Sequence, residues 1–390
     1  MLFFKRRITF LTTRSLACDI LIYDDIGINW LHRIIPTNAN TTYLSTRRVI
    51  PIPWSIIFWK RLLIKLLPTL RHKNDSYSYI YISTLFDTIN PNIILSGYDN
   101  SPVLAKYART KPNKKVILVQ TALRDTIGSF PNETELPVYF SYGDAESELL
   151  NKLRVRCKEL IPIGSVKMGI AIETLPNSLF DESDLCFISD YRASLEIAGY
   201  TELQQAIVHV DKILFEHTCK YAKTNSLSLR VLSKTREPRW QTKEHAYFKN
   251  LAQGLQFEFV LANKSEEEFS TYFGLLFSNL IINNCSTLGF EALAANKKVV
   301  FGATMASGLI PKWGAEAYFH TMPNTIRIDE PCYNHFSRRL DTLRALTDDN
   351  YSQMVLSITN TVMRQTEKQS PQDFIKSYLT SYLNNVTNLG

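Results

Sequence analysis

The stretch Asn279-Leu280-Ile281-Ile282-Asn283-Asn284-Cys285-Ser286-Thr287-Leu288-Gly289-Phe290-Glu291-Ala292-Leu293-Ala294-Ala295-Asn296-Lys297-Lys298-Val299-Val300-Phe301 reads as strand, tight turn, helix and strand. Ser286 or Thr287 is a natural N-cap, and the first helical turn presents unpaired N–H groups at the carboxyl end of the strand. A phosphate or diphosphate is stabilised there by those donors and by the helix dipole. Glu291 lies four residues after Thr287, on the same helical face and one turn deeper. A carboxylate in that place can accept two hydrogen bonds from a ribose diol. Gly289 permits close backbone approach. An ordinary βαβ unit, with a capping hydroxyl and a first-turn charge, accounts for the same residues, and the local chemistry leaves both readings open.

Outward from this unit, short β-rich runs alternate with helix-length amphipathic segments, the pattern of an α/β protein with parallel sheets. Strands are expected at Asp19–Tyr23, Asn92–Gly97, Val116–Gln120, Val138–Tyr142 and Glu159–Ile163, with helices such as Ser101–Arg109 and Asp144–Val155 between them. The run from Gly164 to Asp184 mixes Gly, Pro, Ser and acids without a long period, which marks a linker. A second series follows, with strands at Leu185–Ser189, Leu227–Ser233, Phe257–Leu261, Leu280–Asn283 and Lys298–Phe301. After Pro331 the pattern is helical to the end. The expected organisation is an N-terminal Rossmann-like domain over 1–165, a linker over 166–184 and a C-terminal Rossmann-like domain over 185–390. Ligands in such open sheets lie beyond the carboxyl ends of the strands.

At 390 residues the chain suits two domains better than one core. The net charge of +7, from 44 basic and 37 acidic residues, is too mild and scattered for nucleic acid and suits phosphates or an anionic membrane face. Six dispersed cysteines without CxxC spacing read as free thiols in a reducing compartment. Neither a secretory leader nor an uninterrupted spanning run is expected, so the sequence reads as cytoplasmic, or peripheral on the inner face of a bacterial cytoplasmic membrane. The seven histidines are isolated, and no metal site is expected.

The segment Ser286-Thr287-Leu288-Gly289-Phe290-Glu291-Ala292-Leu293-Ala294-Ala295-Asn296-Lys297-Lys298-Val299 resembles the donor-binding strand–helix of GT-B glycosyltransferases. A closer likeness is to bacterial surface carbohydrate biosynthesis proteins of lipopolysaccharide and capsule loci. It rests on Ile22-Tyr23-Asp24; on Ile89-Asn90-Pro91-Asn92 running to Asp99-Asn100; and on Val119-Gln120-Thr121-Ala122-Leu123-Arg124. It continues through Gly164-Ser165-Val166-Lys167 and Ile188-Ser189-Asp190-Tyr191-Arg192. The matches run in order over roughly residues 18–305. Two features depart from that pattern: an Asn-Gly after the Gln is Thr121-Ala122 here, and an Arg-Gly-Glu appears only as Arg47-Arg48-Val49. The resemblance implies a GT-B-like architecture, two Rossmann-like doubly wound domains facing a central cleft with a helical C-terminus.

Several side chains become candidates. Asp99 and Asn100 follow an apolar strand, where a carboxylate can orient or deprotonate an acceptor hydroxyl; an Asx turn capping the next helix is the competing explanation. Gln120 and Arg124 follow the next strand, and Arg124 can clamp an anion or pair with Asp125. Lys234 and Arg236 follow the second strand of the C-terminal half, placed to neutralise donor phosphates or to form a solvated basic loop. Arg192 is a further donor-side candidate, and Asp24 an acceptor-side one that a turn before Gly27 also explains. The basic, aromatic and apolar stretch Arg47–Leu67 fits either a membrane interface or a buried core helix with snorkelling cations.

The reading these residues support is a metal-independent glycosyltransferase with no cofactor beyond a UDP-, GDP- or CMP-linked sugar as co-substrate. The donor would sit on Ser286, Thr287, Gly289 and Glu291, aided by Lys234, Arg236 and Arg192. An oligosaccharide or lipid-linked acceptor would lie near Asp24, Asp99, Asn100, Gln120 and Arg124. An NDP-sugar 2-epimerase uses the same fold but needs more acids and a histidine around the sugar. A non-catalytic polysaccharide-assembly protein of GT-B shape is the third reading.

Overall fold

The computed structural model describes residues 7–11, 18–46, 49–72, 76–124, 130, 134–176, 180–191, 199, 201–262, 269–302, 305, 316–319, 321–364 and 370–389. The first lobe carries β1 (Arg7–Leu11), β2 (Ile20–Tyr23), β3 (Thr41–Leu44), β4 (Val49–Pro53), β5 (Ile93–Ser96), β6 (Lys115–Val119), β7 (Glu135–Ser141) and β8 (Arg156–Pro162). Six of these form a sheet in the order β3-β2-β5-β6-β7-β8, and every neighbouring pair is parallel. The second lobe carries β9 (Ser183–Ile188), β10 (Leu229–Leu232), β11 (Glu258–Val260), β12 (Ser278–Asn283) and β13 (Lys298–Phe301), a parallel sheet in the order β11-β10-β9-β12-β13.

Parallel strands are joined by crossovers that place helices on both sheet faces, so their residues are mostly apolar and are buried on both sides. Every residue of β2, β5 and β10 is accordingly buried. The strand order reverses between β2 and β5 in the first lobe and between β9 and β12 in the second. Such reversals open a crevice at the carboxyl ends of the strands. The β12–helix–β13 unit is the strand, turn, helix and strand expected from the sequence, with the helix at Thr287–Ala294.

Three features differ from the expected organisation. The linker opens with a helix, Val166–Glu173, capped by Ser165, whose Oγ accepts from the Met168 amide at 3.1 Å. The last helix, Pro371–Leu389, returns to the first lobe. There Tyr378 meets Phe140 edge-on at 5.3 Å and donates to Glu159 at 2.9 Å, while the Lys115 ammonium lies 5.1 Å from its ring centre. The C-terminal unit read as 185–390 therefore ends, in space, before this helix, because Phe140 and Tyr378 bury aromatic area that no sequence period locates. The alternative of a buried core helix within Arg47–Leu67 also fails. The helix Ile56–His72 buries Phe58 but leaves Ile56, Leu63, Ile64 and Leu67 exposed.

Gly289 is required by the second lobe's own packing. A Cβ there would collide with the side-chain amide of Asn283 and lie 2.7 Å from its Cβ. Asn283 is buried at the end of β12 and donates to the Ser286 carbonyl at 3.2 Å, which fixes the turn. Gly289→Ala is expected to lower stability by about 1–3 kcal/mol, the cost typical of overpacking, measured by urea unfolding; an unchanged midpoint would mean the turn has slack to yield.

Candidate active site

In the first lobe, the carboxyl ends of β5, β6 and β7 bring four polar side chains together. Asp99 is fully buried, and its carboxylate accepts from Arg124 through both Nε (3.1 Å) and a terminal nitrogen, and from the Tyr139 hydroxyl at 3.0 Å. Gln120, directly after β6, is positioned through its own amide. Its Oε1 accepts from the Tyr142 backbone at 2.7 Å, and its Nε2 donates to the Ala122 carbonyl (3.1 Å) and to Glu146 (2.9 Å). Glu146 lies in the first turn of the helix Ala145–Lys152, buried, with Oε2 also accepting from Tyr318 at 3.2 Å. Its Oε1 is buried and has no hydrogen-bond partner among the described residues. Burial pushes the Glu146 carboxyl up from 4.5 to about 7, against the hydrogen bond from Gln120 and the charge of Arg124. That environment is unlike the paired one of Asp99, and it stores a carboxyl able to exchange its proton near neutral pH.

In the second lobe, the crevice between β9 and β12 is built around Asp190. Its carboxylate accepts from Lys234 at 2.8 Å and from the Cys285 amide at 3.2 Å, joining the ends of β9, β10 and β12. Lys234 reaches Ser286 Oγ at 3.4 Å. The Asp190 amide in turn donates to Asp211 at 3.2 Å. Burial first, and the Asp190 charge second, push the Asp211 carboxyl well up. Glu244, fully buried, holds the loop after β10. It accepts from Ser189 (2.6 Å), Ser233 (2.7 Å) and the amides of Lys234 (2.8 Å) and Thr235 (3.1 Å). Lys234 is thus presented at the amino end of the Thr287–Ala294 helix by a buried scaffold, while Arg236 projects into solvent.

The lobes meet across these two sets of strand ends. Thr287 Oγ1 accepts from the Leu123 amide at 3.1 Å, and Lys167 donates to the Thr121 carbonyl at 3.4 Å. Glu291 is buried, and its two oxygens are engaged by Ser165 at 2.5 Å and by Tyr272 at 3.1 and 3.0 Å. Burial raises the Glu291 carboxyl, opposed by the Lys167 charge and both hydroxyls. Tyr318 reaches from the second half of the chain to Glu146.

Of the residues singled out in the sequence, Asp99, Gln120, Arg124, Lys234, Ser286, Thr287 and Glu291 gather along this seam. Asn100 is half-buried in the turn beside Asp99. Asp24 stands at the end of β2 with φ 74°, accepting from the Ile26 amide at 3.3 Å in its own turn. Arg192 lies outside the described residues. Glu146, Asp190, Tyr272, Tyr318 and Glu244 are the additions. Asp190 carried a signal, standing one residue after the strand-end Ser189; Glu146 and Glu244 look like ordinary helical acids until the fold buries them. Among the described residues, no group of three His, Cys, Asp or Glu side chains is placed to hold a metal ion.

Asp99 tests how much of this site is scaffold. Removing one partner of a buried ion pair leaves an uncompensated charge at a cost of about 3–5 kcal/mol. Arg124→Ala should lose about that much in urea unfolding, and Arg124→Ala with Asp99→Asn should recover a large part of it. Equal losses in the single and double variants would show that the two side chains act separately.

Comparison with known proteins gives the same architecture. Wall teichoic acid polymerase TagF, in a structure soaked with CDPG, superimposes with a TM-score of 0.53 at 9% identity, covering 96% of this chain and 90% of that one. The UDP-GlcNAc 2-epimerase of Methanocaldococcus jannaschii, in complex with UDP-GlcNAc and UDP, gives 0.52 at 11% identity, covering 96% and 100%. At such identities the likeness establishes a GT-B-like pair of Rossmann-like lobes and nothing finer. No curated protein sequence matches the chain. A family model described as "putative O-antigen biosynthesis protein" matches residues 130–379, from the β7 region through the linker and the whole second lobe. With more than half its length so matched, the chain belongs to this O-antigen biosynthesis family.

Proposed function

We propose that the protein is a glycosyltransferase that moves a sugar from a nucleotide-linked donor to a growing surface polysaccharide or lipid-linked acceptor. The observation that carries this reading is the Thr287–Leu123 seam, where the helix start at the second lobe's crevice faces the Asp99, Arg124, Gln120 and Glu146 cluster of the first. The donor diphosphate takes the helix start at Ser286 and Thr287, with Lys234 and the exposed Arg236 neutralising charge as the nucleotide departs. That the solved structures of similar fold were obtained with CDPG or with UDP-GlcNAc and UDP supports a nucleotide-linked co-substrate.

The acceptor side divides its carboxylates. Asp99, paired with Arg124 and Tyr139, positions the guanidinium and not a proton. Glu146, with its carboxyl near 7, is the group matched to taking the acceptor's hydroxyl proton. The hydroxyl oxygen then bonds to the anomeric carbon, and the bond to the diphosphate breaks with its electron pair on the leaving oxygen. Tyr318 covers Glu146, so parting of the lobes admits the acceptor and reclosure excludes water that would hydrolyse the donor. Glu291 reaches a ribose diol only by exchanging the Ser165 hydroxyl for it, which couples donor binding to the linker.

Thermal unfolding with UDP, GDP, CMP and their sugar conjugates tests the donor site. One base at about 100 times its Kd should add about 2.7 kcal/mol. Glu291→Ala should abolish that shift, although it also unties Ser165 and Tyr272. No shift with any nucleotide removes the donor reading and leaves a non-catalytic assembly protein of the same shape.

Glu146 makes a signed prediction in pH. Its folded carboxyl titrates near 7 and its unfolded one near 4.5, so the folded state holds the extra proton between them. Stability is therefore fully present below 4.5 and falls as pH rises through 7. Glu146→Gln should flatten part of that fall in urea titrations, the remainder belonging to the other raised carboxyls, and should abolish the rise in transfer rate through the same pH range. A variant keeping the wild-type rate profile removes Glu146 as the proton acceptor.

A further inference from the structure

We propose that the outward face of the helix Ile56–His72, together with the basic cavity beside it, docks the protein on an anionic lipid surface. This goes beyond the transfer reaction and does not depend on it. The helix packs through Phe58, fully buried and edge-on to Tyr81 at 5.5 Å, and through Lys65, which donates to Ser83 at 3.1 Å and Asp87 at 2.8 Å. The opposite face bears Ile56, Lys60, Leu63, Ile64 and Leu67, at spacings that place them in one stripe. Ile56 is 86% exposed and Leu63 60%. A helix presenting aliphatic side chains to both its own core and the outside has one face without a partner. At its start stand Trp54, 73% exposed, and Phe10, which meets it edge-on at 5.6 Å.

The chemistry beside this face selects its occupant. A cavity of about 460 Å³ is lined by Arg61, Ile64, Lys65, Asp87, Lys111 and Lys114 among others, so four cations and one carboxylate share its wall. Burial acts to raise the Asp87 carboxyl, but the hydrogen bond and charge of Lys65 hold it below its ordinary value. The cavity therefore keeps a positive excess suited to a phosphate headgroup, next to aliphatic side chains suited to acyl chains. Aromatic rings with aliphatic and basic groups on one surface helix are the composition of an interfacial anchor. Pairing with a second copy is disfavoured by charge: the helix has no acidic residue, and two such faces would bring Lys60 against its equivalent with no carboxylate to pair with either. Among the described residues no helix is long and apolar enough to cross a membrane, so the contact is with its surface.

Placement supports the same occupant. Asn90 and Lys114, on the cavity wall, immediately precede the β5 and β6 regions. The cavity thus lies at the amino ends of strands whose carboxyl ends form the cleft. Docking there holds the protein by the side away from the site and leaves the cleft mouth open.

Co-sedimentation of the full chain with phosphatidylcholine vesicles, with and without phosphatidylglycerol, tests the proposal. Wild-type protein should sediment with the anionic vesicles and bind neutral ones at least about tenfold more weakly. Each cation near an anionic surface strengthens binding roughly fivefold, so Lys111→Ala with Lys114→Ala should lose about 25-fold. Leu63→Asp with Leu67→Asp should fall to background with unchanged thermal unfolding, since both side chains are exposed. Three results overturn the proposal: no wild-type sedimentation, variants that bind like wild type, or a wild-type dimer in sedimentation equilibrium that Leu63→Asp with Leu67→Asp dissolves.

Discussion

One buried carboxylate ties the second lobe to the linker that joins it to the first. Glu291 sits on the second lobe's crevice helix, yet it accepts from Ser165, the cap of the linker helix, and from Tyr272 of the helix Ser270–Leu276. A carboxyl taken out of water is costly unless it is hydrogen-bonded, and two hydroxyls with the Lys167 charge nearby supply that compensation. The result is that the helix carrying the unpaired amides cannot shift without disturbing the connection between lobes. Thr287, at the start of the same helix, holds Leu123 of the first lobe. Thr287 and Glu291 lie one turn apart on the same short helix, so its contacts with the first lobe and with the linker are fixed together.

Around that joint the fold separates acids by environment. Asp99 and Glu146 are close in the first lobe and equally hidden from solvent, but Asp99 has a guanidinium on both oxygens and Glu146 has an amide, a phenol and one bare oxygen. Pairing and desolvation act in opposite directions on a carboxyl. One acid is therefore held in an ion pair, and the other is raised to about 7, where a proton is exchanged at least cost. Asp190 and Asp211 repeat the arrangement in the second lobe, with Lys234 on the first and burial governing the second. Glu244 closes the turns after β9 and β10, which fixes the backbone that carries Lys234.

Much of this was legible in the chain because it depends on local periodicity and capping. The β12 run, the helix start at Ser286 and the helix to Ala294 follow from residues adjacent in sequence, and so do the strand ends bearing Gln120 and Asp190, although the Ser286 hydroxyl makes no capping bond and meets Lys234. What could not be read depends on contacts between distant segments. Glu146 and Tyr318 are 172 positions apart, and Ser165 and Glu291 are 126 apart. No local pattern distinguishes an acid that will be buried from one that will face water. Gly289 shows the same limit: its lack of a side chain is legible, but the group that needs the space is Asn283 at the end of the preceding strand. The return of Pro371–Leu389 to the first lobe is likewise invisible in a pattern that is simply helical.

The stretch around Ile56–His72 is ambiguous in sequence for a related reason. A helix apolar on most of its circumference is ordinarily a core helix, and Phe58 alone would make it one. What changes the reading is the supply of partners. Among the described residues it packs against the helix Tyr77–Ile89, and one helix covers one face. Arg61 and Lys65 are then drawn inward to the Asp87 carbonyl and carboxylate, which frees the opposite stripe from charge except at Lys60. Asp87 also holds Lys111, which with Lys65 and Arg61 brings three of the cavity's cations to the amino ends of β5 and β6. An uncovered apolar stripe and a cationic pocket thus have one structural cause, the placement of a single acid at the last turn of the neighbouring helix. Because that acid lies at the opposite end of the sheet from Asp99, attachment and the cleft use different ends of the same strands.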